Sequence, residues 1–381
     1  MKQILYRVFT VFQECLETLC VPVLRVLMSW RLQPRKSKSV CVIRTDALGD
    51  MVLTMDLLQS LEATFGKENC VLVCTDEAAD LLRTVGFPWT MISCDSRDLL
   101  LKPWKRWAFY FKLWRFSFGI VVVPVRTPEN RLSYWLARSA RTFVRWAVRS
   151  GVDGKGVSET YERELQVGPW IHETQAYQIL ALRLGLVWSE FDWKNCVPPT
   201  TASIGQYLLV HCGSRDTRKL MTADQIADII NQIGSETDLY AVLCGSESDR
   251  ARGDAIRTKL RVSATDRVGQ TNFSELIRMI SRARLVLAFD SVVAHLAAHL
   301  QVPTIAVVGG GHWGRFFPYP EGFSNLQVVA SPRACFRCAW NCPYLKVGAH
   351  DPKFPCVSEI VSADIFRASQ AVLVGTSATL G

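Results

Sequence analysis

The chain has 381 residues, more than one hydrophobic core normally serves, so two domains are expected. Hydrophobic residues make up 49% of it, which excludes a disordered chain and is ample for α/β domains. A formal charge of +9 favours an anionic partner, and nucleic acid, anionic lipid and phosphorylated ligands all satisfy it.

Residues 3–30 read as one or two amphipathic helices interrupted at Pro22. Arg7, Glu14, Glu17 and Arg25 recur too often for a membrane span, which needs about 20 mostly apolar residues. The stretch also lacks a small-residue cleavage site, so no cleavable signal peptide is read. The 13 cysteines are odd in number and scattered, and cytosolic, mostly reduced thiols are expected. Arg31, Arg35, Lys36 and Lys38 follow the helical stretch. An apolar helix face beside such a basic cluster suits an anionic membrane surface. A helix packed on its own domain, with a solvated linker, is the alternative. This segment, 1–38, is the first division of the chain.

A second unit is expected over 39–195. It opens with "VCVIR" (40–44), an apolar run that suits a parallel strand covered on both faces. The turn "TDALGD" hands it to a helix, with Asp46 and Asp50 at the junction. Either acid can simply cap the helix. Gly49 adds a second feature, since it lets backbone or ligand approach closely. A carboxylate there can also take a proton from an incoming hydroxyl. "CVLVC" (70–74) and "GIVVVPV" (119–125) are further strands. Between them, "LKPWKRWAFYFKLWRF" (101–116) interleaves cations and aromatics. It reads as an amphipathic helix with some membrane or acceptor contact; stacking on single-stranded nucleic acid is the competing reading.

"DWKNCVPPTTASIGQ" (192–206) has little periodicity and marks the boundary before a third unit, 206–381. Strands are expected at 207–212, 239–245, 285–290 and 304–310, and helices at 221–233 and 274–284. The loop after the first of these strands offers Ser214, Arg215, Thr217, Arg218 and Lys219, either a solvated face or a counter-charge for a diphosphate. "CGSESDR" (244–250) places Glu247 and Asp249 where an acid holds ribose hydroxyls or caps a helix. The strand at 285–290 ends at Asp290, and Ser291 opens a helix with His295 and His299. Helix starts bind anions, and the run Gly309, Gly310, Gly311 after the next strand offers N–H groups to a phosphate. The His pair has helical packing spacing, and without the intervening Glu of HExxH it is a poor zinc site.

Cys335, Cys338, Cys342 and Cys356 have the spacing C-x2-C-x3-C-x13-C. They form either a structural zinc or iron–sulfur site or a set of packed, redox-variable thiols.

Two signatures in this order resemble glycosyltransferase family 9, the lipopolysaccharide heptosyltransferases. The first matches at Leu48, Gly49, Asp50 and Thr54, with Asp56 where the family often has Pro. The second matches at Asp290, Ser291, His295, Ala297, Ala298, Pro303 and Gly309, with Val292 in place of Gly. The resemblance spans roughly residues 39–370. It implies a GT-B fold, two Rossmann-like doubly wound domains facing a cleft, with the acceptor on the first and the donor on the second. It implies an inverting, metal-independent transfer of a sugar, by family default heptose from ADP-heptose, to a glycolipid at the inner face of the cytoplasmic membrane. Asp50 corresponds to the catalytic base. Lys219, Asp249 (with Glu247 a close competitor), Asp290, Ser291, His295 and Gly309 correspond to the donor side, where the loop readings add Ser214 and Gly310, although "K-L-M-T" stands where the family has "K-x-W-P". No cofactor and no nucleic acid are implied. Two other classes compete: a nicotinamide-dependent oxidoreductase, against which the missing early GxGxxG counts, and a non-catalytic membrane- or nucleic-acid-binding module.

Overall fold

The computed structural model describes residues 38–126, 131–140, 142–150, 161–197, 205–345 and 351–377. The amphipathic segment expected over residues 3–30, and the basic residues Arg31, Arg35 and Lys36 after it, lie outside the described residues.

Two parallel six-stranded sheets form the frame. The first contains β1 (Val40–Arg44), β2 (Cys70–Thr75), β3 (Thr90–Cys94), β4 (Phe118–Val123), β5 (Thr142–Ser150) and β6 (Arg163–Val167), in the order β3-β2-β1-β4-β5-β6. The second contains β7 (Tyr207–His211), β8 (Tyr240–Cys244), β9 (Ala264–Asp266), β10 (Leu285–Phe289), β11 (Thr304–Val307) and β12 (Leu326–Val329), in the order β12-β11-β10-β7-β8-β9. Both are doubly wound: the order reverses between β1 and β4 in one and between β7 and β10 in the other. A crevice opens at such switch points, beyond the carboxyl ends of the strands.

The central strands are apolar on both faces because helices cover both. β1 and β10 are buried at every residue. The first half supplies helices α1 (Leu48–Phe65), α2 (Asp76–Thr84), α3 (Ser96–Leu101), α4 (Pro103–Trp114), α5 (Arg131–Ser139) and α6 (Glu173–Arg183). The second supplies α7 (Ala223–Thr237), α8 (Arg250–Arg257), α9 (Phe273–Arg282), α10 (Val292–His299), α11 (Pro355–Ser358) and α12 (Ser362–Ser377). Side-chain capping boxes start α7 (Thr222, Gln225) and α9 (Asn272, Glu275). No helix among the described residues is long and apolar enough to cross a membrane.

α1 is the keystone. Met51, Val52, Leu53, Met55, Leu57, Leu58 and Leu61 are all buried, as expected for a helix covered around its circumference. It lies against its own sheet, α6, and α10 of the other half. Asp56, at the position where family 9 often has Pro, accepts the Phe191 N–H at 2.9 Å and ties α1 to the chain leaving the first half. The halves are further joined by Arg315, whose Nε donates to Glu173 Oε1 at 2.6 Å.

Candidate active site

The first half brings its charges together at the end of β1. Arg44 is the last strand residue and is only 1% exposed. Its Nε donates to Asp46 at 2.9 Å, and its third nitrogen lies 3.1 Å from Asp50 Oδ1. Another nitrogen donates to the Pro124 carbonyl at 2.7 Å and to the Tyr177 hydroxyl. Tyr177 in turn donates to Glu173 Oε2 at 2.6 Å. Glu173 is fully buried and also faces Arg126 at 3.4 Å and Arg315. Burial opposes its charge, but Arg315, Arg126 and Arg44 outweigh that and hold its pKa below the ordinary value.

Neither acid of the opening turn is a cap. The N-terminus of α1 has no side-chain cap, and both acids are spent on Arg44. Asp50 sits in the first turn of α1, about 15% exposed. Burial, then the like charge of Asp46, push its pKa up to about 7 against the pull of Arg44. Burial raises Asp46 as well, with Arg44 opposing. A carboxylate poised near neutrality just beyond the carboxyl end of β1 is suited to proton abstraction.

The second half faces this turn with the start of α10. A Cβ on Gly49 would lie 3.1 Å from the His295 ring and 3.7 Å from the Val292 nitrogen. Glycine is therefore what allows the starts of α1 and α10 to converge. Both helix starts direct unpaired N–H groups and positive dipole ends to this place. Ser291 precedes α10, and its hydroxyl is buried with no partner among the described residues. Burial raises the pKa of Asp290 at this edge, and the Lys219 charge opposes the rise. Lys219 closes the 3₁₀ turn Thr217–Lys219 after β7, with its ammonium 4.1 Å from the centre of the Trp340 ring. Ser214 lies in the same loop, accepting the Asp216 N–H at 3.4 Å.

Other expected donor residues sit differently. His295 is 2% exposed, stacks on Phe317 with ring centres 4.5 Å apart, and shares a hydrogen bond with Tyr319 at 2.7 Å. Burial, then His299 and His172, hold it neutral, so it stands behind the helix start. Asp249 accepts the Ser246 N–H at 2.8 Å and its hydroxyl at 2.6 Å, closing the turn before α8. The glycine run departs furthest from expectation. Cβ atoms on Gly309 and Gly311 would fall 2.7 and 2.3 Å from Trp340, and one on Gly310 would fall 2.1 Å from Phe336. The Gly310 N–H is directed at the Cys356 sulfur at 3.4 Å. The bare glycines therefore receive aromatic rings of the cysteine loop, where a phosphate was expected.

Cys335, Cys338, Cys342 and Cys356 line one shallow pocket around Phe336 and Trp340. All four are free thiols. Among the described residues no three His, Cys, Asp or Glu side chains are gathered as a metal site requires. The loop is stapled to the glycines by Arg337 N–H to Gly310 O at 2.7 Å and Ala339 N–H to Gly311 O at 2.9 Å. Arg337, Ala339 and Trp340 all have positive φ, between 48° and 69°. Its product is the placement of Trp340 on Lys219 and, through Nε1, on His312 at 3.1 Å.

Arg44, Arg126, Glu173, Arg315 and Trp340 were not singled out in the sequence. A charged residue ending an otherwise apolar strand was a usable signal for Arg44. The others come from segments far apart in the chain.

A model of the family described as "Glycosyltransferase family 9 (heptosyltransferase)" matches residues 190–342. A lipopolysaccharide core heptosyltransferase, OpsX of Haemophilus influenzae, is 20% identical over 316 residues, covering 77% of this chain and 84% of the relative. Among solved structures, a family 9 glycosyltransferase from Veillonella parvula superposes with a TM-score of 0.66 at 16% identity, covering 89% of this chain and 98% of that one. The ADP-heptose LPS heptosyltransferase II of E. coli superposes with a TM-score of 0.64 at 17% identity, covering 89% and 99%.

Proposed function

We infer that this chain, a glycosyltransferase of family 9, transfers heptose from ADP-heptose to a lipopolysaccharide-type glycolipid with inversion and without a metal. The observation that supports this reading best is Asp50. Burial and the like charge of Asp46 push its carboxyl up to about 7, and it stands in the first turn of α1, whose start converges on that of α10.

In this reading the diphosphate lies between Lys219 and the α10 start, where the Ser291 hydroxyl has no partner among the described residues. The acceptor hydroxyl approaches the anomeric carbon from the opposite face. As the new C–O bond forms, its proton passes to Asp50, and the bond to the diphosphate breaks with its electrons. The charge on the leaving nucleoside diphosphate meets the Lys219 ammonium and the helix N–H groups, positioned before the reaction begins. One base therefore suffices, and no covalent sugar–enzyme intermediate is needed. Asp46 and Arg44 set the basicity and orientation of Asp50. Trp340 holds Lys219, and the cysteine loop acts as the support for Trp340. The protein works at the inner face of the cytoplasmic membrane, where the acceptor is anchored.

The test combines purified protein, ADP-heptose and a lipid-linked acceptor, and follows ADP release and the acceptor's mass. Turnover that continues in EDTA, with an inverted anomeric product, is expected. Hydride transfer to a nicotinamide cofactor, or loss of turnover in EDTA restored by Mg²⁺, refutes the reading. Metal analysis of protein purified without oxygen separates packed thiols from a bound zinc or iron near one equivalent.

A further inference from the structure

We propose that the outward face of α3 and α4 seats the protein on an anionic lipid bilayer, beside the acceptor crevice; the role given to that contact rests on the acceptor being a glycolipid. Along α4 the exposed positions are Trp104, Lys105, Ala108, Phe111, Lys112 and Arg115. Their spacing puts them on one stripe, while Phe109, Tyr110 and Leu113 are buried on the other side. The outward stripe has no acid. Trp104 is 67% exposed and Phe111 50%, and Leu100 and Leu101 of α3 extend the apolar surface at 39% and 45%.

A helix that only meets water does not profit from exposed rings. Rings interleaved with cations suit the headgroup layer: the ring enters the acyl boundary, and Lys and Arg stems reach back to phosphates. Asp98 on α3 is bound by Lys102 and Lys105. Lys112 and Arg115 carry no ion pair among the described residues, so their charges are available to an anionic surface. The place is also right for a lipid-linked acceptor. The Ser96 hydroxyl, at the start of α3, donates to the Thr45 carbonyl at 3.5 Å, in the turn that carries Asp46 and leads to Asp50. The start of α3 thus touches the turn that leads to the candidate base.

The test uses the full chain and vesicles of phosphatidylethanolamine with phosphatidylglycerol, and compares vesicles of phosphatidylcholine alone. Wild type is expected to sediment with the anionic vesicles, less so in high salt, and weakly with the neutral ones. Lys112→Gln/Arg115→Gln should lower partitioning on the order of thirtyfold, about five- to sixfold for each charge removed. Trp104→Ser/Phe111→Ser should also lower it, on both kinds of vesicle. All four side chains are exposed, so unchanged thermal midpoints are expected and serve as the control for folding. Transfer to acceptor embedded in vesicles should fall with partitioning, while transfer to a water-soluble, deacylated acceptor stays at the wild-type rate. Wild-type partitioning by both double variants overturns the proposal. So does a wild-type dimer that the variants convert to monomers, or RNA binding in place of vesicle binding. If the variants leave the vesicles but wild type transfers no sugar, the surface stands and the glycosyltransfer reading falls.

Discussion

Asp50→Asn separates a catalytic carboxylate from a structural one, because the two roles move stability in opposite directions. Burial and Asp46 lift the Asp50 pKa from 3.8 to about 7. An acid whose folded pKa lies above its unfolded value contributes fully to stability below the unfolded pKa, where it is protonated in both states. That contribution is lost as pH rises from 3.8 through about 7. Across that interval, at about 1.4 kcal/mol per pH unit, the folded protein gives up at most ~4 kcal/mol to keep this group ionised. Asparagine has the shape of the protonated acid and never ionises. Asp50→Asn is therefore expected to be more stable than wild type at pH 8, by several degrees in Tm, and the difference should vanish toward pH 4. Transfer should fall by roughly 10²–10⁴, the usual contribution of a positioned base, with donor affinity retained. The assays are thermal unfolding at both pH values and ADP release with saturating acceptor. A variant that is less stable at pH 8 and still transfers would refute the argument: Asp50 would then be a structural partner of Arg44.

The same pKa sets the rate profile: kcat/KM should rise with pH through about 7, as Asp50 loses its proton. Asp46→Asn removes the like charge and should move that limb to lower pH with little loss of the plateau rate; an unmoved limb assigns it to another group. Lys219→Ala should lose roughly ten- to a hundredfold in transfer through a lost charge-assisted contact, measured as kcat/KM for the donor. Trp340→Leu leaves the ammonium without its ring, 4.1 Å away, and should weaken donor binding several-fold in titrations with ADP, without altering the pH limb. Glu173→Gln leaves Arg126 and Arg315 buried beside a neutral group and should cost about 3–5 kcal/mol, read as a lower urea midpoint.

The central strands were legible because a strand covered on both faces has to be apolar throughout. Val40–Arg44, Leu285–Phe289 and Thr304–Val307 lie within the runs expected. The strands not anticipated carry polar residues. β5 contains Arg145, buried only because its guanidinium finds the Ala137 and Ala140 carbonyls and Glu162. β3, β6 and β9 are edge strands, half open to water, and have no apolar run to announce them. At the site, the acids of the first turn and the start of α10 were visible as local patterns. The partnership of Arg44 with Tyr177, 133 positions away, was not, because nothing local records it. Gly309–Gly311 shows the opposite failure: the need for a missing side chain was legible, but the occupant of the space was not.

That difference bears on how the halves are coupled. A base on one domain and a diphosphate site on the other can act together only if their separation is held. Gly49 sets the closest approach, since any side chain there would press on His295. Glu173 sets the lateral position: it is reached from the first half by Arg126 and Tyr177 and from the second by Arg315, and its own N–H donates to the Arg315 carbonyl at 2.9 Å. Arg44 then links Tyr177 to Asp50. A displacement of the second half that strains Arg315 away from Glu173 would therefore act on a chain of hydrogen-bonded polar groups that ends at Asp50, the proposed base. Buried ion pairs contribute little net stability, so stability alone does not account for three arginines and three acids in one crevice. Holding Asp50 ionisable, oriented and opposite the start of α10, as the proposed mechanism requires, would account for them.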